Sequence, residues 1–270
     1  MVYGIVTIGP AGVGKTTMCH ALQIHGRLHK RGIYVVNLDP AADTLPYEPD
    51  IDVRELIRVE DAMREFGYGP NGGLIYCMEY LAMHLEWLED KISEFGEDDT
   101  LLFDCPGQIE LYSHVPSMQQ ISQELQRMRF RLAACYLLDS TFCSDAPKFL
   151  SGALCCLSAM TALELPHVNV LSKCDLVANR GSLDALLEAD PDELRSRLDA
   201  GTRPAFLKLN SAICELLDEW SMVQFLPLDP TDTDSVDLIL AQVDNAVQYH
   251  DDVEPRTVDD EEPDGQDYDF

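Results

Sequence analysis

Positive charge is what this chain has least of: 19 lysines and arginines stand against 48 aspartates and glutamates in 270 residues, a formal charge of −29. Such a surface repels nucleic acid and anionic membrane at any distance beyond contact, which argues against direct DNA or RNA binding and against a membrane partner. Any CxxC pair is also missing. The nine cysteines are odd in number and scattered, which argues against a disulfide framework and for reduced thiols in a cytosolic setting. Cys155 and Cys156 are adjacent, cannot bridge easily, and read as buried helix packing. No apolar run is expected to reach the length of a membrane span, and Met1 leads straight into a first strand without a signal peptide. There is no internal repeat. His25 and His29 share a helix face but have no third ligand near them in the sequence, so they read as a solvated face rather than a metal site.

What is present is ordinary in bulk and specific in detail. A hydrophobic fraction of 46% over this length suits one large α/β domain, taken as residues 1–250. Residues 251–270 hold ten carboxylates and one arginine; they are too acidic and too poor in apolar side chains to order themselves and read as a disordered tail. The tail serves either to mimic nucleic acid for a basic surface or to keep the chain in solution, and the second is the simpler reading.

The most informative stretch is Gly9-Pro10-Ala11-Gly12-Val13-Gly14-Lys15-Thr16, which fits GxxxxGK[ST]. An apolar, β-prone run from Val2 to Ile8 precedes it and a helix-like run from Thr17 to Lys30 follows, the strand, loop and helix that the motif requires. Glycines allow successive backbone N–H groups to face inward and cradle phosphate at a helix N-terminus. Gly12, Val13, Gly14, Lys15, Thr16 and Thr17 are therefore the expected phosphate-binding set. Lys15 would reach the β and γ phosphates, and Thr16 would hold Mg²⁺ through its hydroxyl.

Further along, Ile33 to Leu38 reads as a second buried strand ending at Asp39, where an α/β sheet gathers its ligands. The alternative is an aspartate that merely starts a turn before Pro40. Val53 to Phe66 reads as a helix, Gly67 to Gly73 as a stop, a turn and a cap, and Leu74 to Phe95 as a long helix. Thr100 to Phe103 is a third strand. It delivers Asp104 and, three residues on, Gly107, the DxxG spacing in which the acid meets Mg²⁺ through water and the glycine N–H senses the γ-phosphate. Gln108 and Glu110 follow where a side chain can orient an attacking water, the alternative being exposed polar residues of a loop.

Helices are expected over Ser117 to Met128 and Pro147 to Leu163, with a fourth strand from Leu132 to Leu138 between them. A fifth strand, His167 to Leu171, opens into Ser172-Lys173-Cys174-Asp175. At this position an aspartate accepts from both N1 and N2 of guanine while the lysine stem covers the base plane; adenine offers an acceptor at N1 and leaves the carboxylate unpaired. Residues 176–204 say little. A helix over Lys208 to Trp220, a sixth strand over Met222 to Leu228 and a closing helix over Val236 to Tyr249 complete a doubly wound, mainly parallel six-strand sheet of P-loop NTPase type. No arginine is evident at the site, which suits a switch better than a fast catalyst.

Three strings together resemble the GPN-loop GTPase family: Val36 to Ala42, Gly69 to Leu74, and Phe103 to Tyr112. The resemblance runs from Met1 to about Tyr249, and Phe149 to Leu154, Leu157 to Met160 and Met222 to Leu228 are most similar to the third of its paralogous branches. It implies a dimer in which Gly69, Pro70 and Asn71 reach toward the partner's nucleotide, so that Asn71 acts in trans on phosphate or water. It likewise implies that Asp39, Gln108 and Glu110 surround the attacking water and that Thr16 and Asp104 hold the magnesium. Pairing with a paralogous GPN-loop GTPase is implied, a homodimer being the alternative, with RNA polymerase II subunits as clients of an assembly and nuclear-import role, exercised in the cytoplasm with some nuclear passage. Ser172 departs from the usual asparagine or threonine, which predicts a weaker brace to the phosphate loop. Pro10 and Ala11 stand where some related dimeric NTPases carry a second lysine. Two alternatives remain: a nucleotide-stabilised binding subunit with little turnover, and an ATPase of the same dimeric class.

Overall fold

A computed structural model of the protein describes residues 2–96, 99–177, 181, 187, 191–200, 203–219 and 224–249. Its centre is a seven-stranded, wholly parallel sheet in the order β3-β2-β4-β1-β5-β6-β7. The strands are β1 (Val2–Ile8), β2 (Ile33–Asn37), β3 (Ile51–Asp52), β4 (Thr100–Asp104), β5 (Phe130–Asp139), β6 (His167–Ser172) and β7 (Phe225–Pro227). The expected count of six is corrected by β3, a two-residue pair beside Val36 and Asn37, too short to leave an alternating signature.

The helices are α1 (Lys15–Leu28), α2 (Val59–Phe66), α3 (Pro70–Met83), α4 (Leu85–Ile92), α5 (Glu110–Ser113), α6 (Ser117–Arg127), α7 (Ala146–Leu163), α8 (Pro191–Asp199), α9 (Leu207–Glu219) and α10 (Thr233–Val247). Two expected helices divide. Val53–Glu55 is a 3-10 turn, and α2 begins only after Arg58, whose extended backbone breaks the run. The long helix splits at His84, which leaves helical geometry and stacks its ring on Tyr80 at 4.0 Å. Gly67, in the left-handed conformation, ends α2, and Pro70 takes the first turn of α3, as its fixed φ favours.

Alternation along β1 divides the core in two. Tyr3 and Ile5 point to one face, where Met18 and Leu22 of α1 and Ile239 and Val243 of α10 cover them. Val6 and Ile8 point to the other, beneath Leu74 and Met78 of α3, Ile121 of α6 and Phe149 and Ala153 of α7. By length and composition α7 does meet the test for a membrane-crossing helix, contrary to expectation, but half of it is buried within the fold. All the cysteines are free thiols; Cys156 is buried as expected, whereas Cys155 is exposed. The tail expected from residue 251 onward, and Met222 and Val223 of the sixth strand expected from sequence, lie outside the described residues.

Parallel register determines where function can lie. Thr7 of β1 and Asn37 of β2 both stand abreast of Asp104 on β4, and Asp139 of β5 stands abreast of Ser172 on β6. The loops carrying the expected site residues thus leave the same, carboxyl edge of the sheet, which is where open α/β sheets bind ligands.

Candidate functional site

The phosphate loop turns through three glycines of positive φ: Gly9 at 137°, Gly12 at 73° and Gly14 at 102°. At Gly9 a Cβ would also lie 2.5 Å from the carbonyl oxygen of Leu137, so both conformation and space demand glycine there. Gly14 supplies no capping side chain to α1, which leaves the first-turn N–H groups available to an anion. Lys15, buried, folds its ammonium back over the loop and donates to Gly9 O at 3.0 Å and Pro10 O at 3.1 Å. A cavity of about 340 Å³ opens here, lined by Gly12, Gly14, Lys15, Thr16, Thr17 and Asp39, with Ala11, Cys105 and Gly107 completing the wall.

Asp104 is 2% exposed. Burial pushes its carboxyl above the usual range, against the opposing pull of the Tyr47 and Thr16 hydroxyls and the Lys15 ammonium. Burial likewise lowers Lys15, against the charges of Asp104 and Asp39, and raises Asp39. A buried acid touching a hydroxyl next to a phosphate loop is an oxygen-donor set that fits Mg²⁺. Asp39 serves both readings given to it: its Oδ1 accepts from Ala41 N at 2.9 Å, starting the turn, and its carboxylate still lines the cavity. Cys105 shares that wall, but burial raises its thiol far above the usual value, so it is an inert packing group.

Gly107 packs onto the phosphate loop so closely that a Cβ would sit 2.6 Å from Ala11 Cα. Tyr112 holds the same loop by donating its hydroxyl to Pro106 O. Gln108 donates from Nε2 to Asn71 Oδ1 at 2.9 Å, so the Gly69–Asn71 turn touches the Gly107–Gln108 loop of its own chain, and Gly69, Pro70 and Asn71 are exposed. Glu110 opens α5, is exposed, and is not among the residues lining the cavity.

On the other flank Ser172 is buried and donates to Val13 O at 2.6 Å and to Leu138 O at 3.2 Å. The brace to the phosphate loop that its departure from asparagine or threonine put in doubt is therefore made. Lys173 adopts a left-handed backbone (φ 60°) and donates to Asp139 Oδ2 at 2.6 Å, while Ser140 Oγ donates to Lys173 O at 3.0 Å. Burial pushes Asp139 up, but the Lys173 ammonium and the Thr141 N–H outweigh it and hold the carboxyl low. Asp175 sits exposed on a 3-10 turn just after Lys173, free to face a planar ring.

Several functional groups escaped the sequence reading. Tyr47, buried, donates to Asp104 Oδ2 at 2.6 Å. Asn37 accepts from Asp39 N at 3.1 Å and donates to Asp52 Oδ1 at 3.0 Å. Arg54 forks onto Asp52 and donates to Ala42 O at 2.8 Å, so an arginine does stand beside the site, committed to holding the 39–43 loop. The one available signal was Asn37, a polar residue inside an apolar strand; Tyr47, Asp52 and Arg54 are joined to the site only by tertiary contacts.

Known proteins resemble this chain over nearly all its length. Residues 7–249 match a family model described as a conserved hypothetical ATP binding protein. The protein named GPN-loop GTPase 3 from Mycosarcoma maydis is 47% identical over 94% of this chain and 94% of its own. The protein of that name from Saccharomyces cerevisiae is 46% identical over 91% and 92%. Among solved structures, a GTPase in apo form from Pyrococcus abyssi superposes with a TM-score of 0.77 at 25% identity, covering 90% of this chain and 97% of that one.

Proposed function

The chain belongs to the GPN-loop GTPase family, and from that premise we propose that it binds GTP with Mg²⁺ and hydrolyses it slowly to GDP and phosphate. The observation that carries this reading is the Ser172 to Val13 hydrogen bond, which joins the phosphate loop to the Lys173–Asp175 turn so that one ligand spans both. In this mechanism Thr16 and Asp104 would hold Mg²⁺, which would supply neutralisation of the phosphate charge. Lys15 leaves the carbonyls of Gly9 and Pro10 for phosphate oxygens, and the N–H groups from Gly12 to Thr17 line the phosphate chain. Water enters beside Asp39 and Gln108; its oxygen bonds to the γ-phosphorus as the bridge to the β-phosphate breaks, and its proton passes to the protein or released phosphate. Asp175 selects guanine by accepting from N1 and N2, which is our reading against the adenine ligand in the family model's description.

The proposal is tested by equilibrium binding of GTP, GDP and ATP in magnesium buffer to the parent and to Asp175→Asn. We expect guanine nucleotides to be preferred by the parent and that preference to collapse in the variant. ATP binding equal to GTP in the parent would overturn it.

A second reading, a nucleotide-stabilised subunit with little turnover, is favoured by the placement of Glu110 outside the cavity and by the engagement of Gln108 with Asn71. Single-turnover hydrolysis with Gln108→Ala separates the two: a rate equal to the parent's would favour the second. We further propose, resting on the resemblance set out above, that the chain dimerises with a paralogous GPN-loop GTPase and serves RNA polymerase II assembly and import from the cytoplasm. The exposed Gly69–Asn71 turn, with Phe66 and Tyr68 exposed beside it, supports an interface on this face.

A further inference from the structure

At the end of α1 remote from the phosphate loop, His25, His29 and Asp237 of α10 each present a donor atom within 4.8 Å of the other two. No third ligand was expected beside this histidine pair, and His25 was expected to be solvated. Instead α10 brings up a carboxylate, and His25 is buried, at 6% exposure. Its Nε2 lies 2.6 Å from Asp237 Oδ1 but out of hydrogen-bond alignment, and its Nδ1 has no hydrogen-bond partner. A buried imidazole nitrogen that meets only a misaligned carboxylate is poorly satisfied, and a cation between the two would pair both. His29 points the same way. Its Nδ1 lies 3.0 Å from His25 O, so Nδ1–H donates to the backbone and the lone pair is left on Nε2, the tautomer lock that metal-bound histidines ordinarily carry.

We propose that His25, His29 and Asp237 bind one transition-metal dication of the Zn²⁺ class, with water as a fourth ligand. Two imidazoles and one carboxylate suit Zn²⁺, Co²⁺ or Ni²⁺; Mg²⁺ and Ca²⁺ demand an all-oxygen shell. Zn–N and Zn–O bonds of about 2.0–2.2 Å require donor atoms roughly 3.3 Å apart. The His25 Nε2–Asp237 Oδ1 edge, at 2.6 Å, must open and the other edges, no longer than 4.8 Å, must adjust, which rotation of the exposed His29 and Asp237 side chains allows. The C-terminal end of α1 adds partial negative charge toward the ion. At 1.5 Å rise per residue, the nine residues from Thr16 to His25 and thirteen to His29 place this site about 14–20 Å from Thr16, so it is independent of the nucleotide's magnesium. Its consequence is mechanical: the bound ion ties the far end of the phosphate-loop helix to α10.

The test is a Co²⁺ titration of the reduced full-length chain in excess Mg²⁺, followed by visible absorption, with Zn²⁺ as competitor and a thermal melt with and without chelator. The parent should take up one equivalent, give d–d bands without thiolate charge transfer, release Co²⁺ to Zn²⁺, and melt lower after chelation. His29→Ala and Asp237→Asn, both at exposed positions, should each weaken binding about tenfold or more and lose the chelator effect. Undiminished binding in both variants, a thiolate charge-transfer band, or no stoichiometric uptake would each overturn the proposal.

Discussion

Tyr47 donates its hydroxyl hydrogen to Asp104 Oδ2 at 2.6 Å, so the loop between β2 and β3 ends on the carboxylate at the tip of β4. The contact orients an acid that would otherwise rotate about its own side-chain bonds, and it joins a Pro-flanked loop to the position proposed for magnesium. Tyr47→Phe keeps the buried ring and removes the donor. Loss of a hydrogen bond to a charged group costs about 1.5–3 kcal/mol. The expected result is a melting point lowered accordingly and a GTP dissociation rate that needs about tenfold more Mg²⁺ to reach its slow limit. An unchanged magnesium dependence would show that Asp104 needs no such orientation.

Asp104 and Asp39 are both raised above the ordinary carboxyl value of 3.8, by burial first. A raised folded-state value means that the folded chain holds protons the unfolded chain has released. The resulting stability is complete below 3.8 and is lost as pH rises through the folded value. Near neutral pH the nucleotide-free protein therefore carries an unfavourable buried charge. Asp104→Asn should raise its melting temperature there and flatten the fall in stability as pH rises above 3.8. Lys15 loses an attractive partner in this variant, but burial is the leading influence on Asp104, so the net sign stands. The same variant should lose magnesium-dependent tightening of GTP, measured by nucleotide release with and without chelator.

Ser172 Oγ donates to Val13 O at 2.6 Å from a buried position. Ser172→Ala leaves that carbonyl, and Leu138 O, without the hydroxyl donor and unhooks the phosphate loop from the Lys173–Asp175 turn. The expected cost is about 1 kcal/mol of stability and roughly fivefold faster GDP release, with the preference for guanine over adenine retained because Asp175 is untouched. Release kinetics of a fluorescent GDP check it, and slower release than the parent would contradict the brace.

These contacts show where the sequence was legible. The phosphate loop, Asp39, the Asp104 to Gly107 spacing and the Lys173 to Asp175 turn each follow an apolar strand directly, so local pattern places them at one sheet edge. Periodicity gave no warning of β3, because two residues contain no alternation, nor of the break at His84, which no glycine or proline marks and which instead follows a ring stacked on Tyr80. Tyr47 and Arg54 reach the site through tertiary packing alone: one crosses to β4 and the other holds the 39–43 loop. Asp237 lies more than two hundred residues beyond His25 and meets it only because α1 and α10 cover the same face of the sheet.

The hydrogen bond from Gln108 to Asn71, 2.9 Å within one chain, places two demands on Asn71. If the GPN turn serves a partner's nucleotide, this bond must open on dimerisation and Gln108 is released toward its own water; if it stays closed, Asn71 positions Gln108 in cis. A mixed dimer discriminates. This chain carries Asn71→Ala and its paralogous mate carries alanine in place of its own phosphate-loop lysine. Neither variant alone should turn over GTP at the parental rate. Action in trans lets the lysine-deficient subunit lend its intact asparagine to the other's intact phosphate loop, and roughly half the parental activity should return, one working site of two. We expect that recovery, read as single-turnover phosphate release from the mixture. Its absence, with dimer formation verified by size-exclusion chromatography, would assign Asn71 to its own chain.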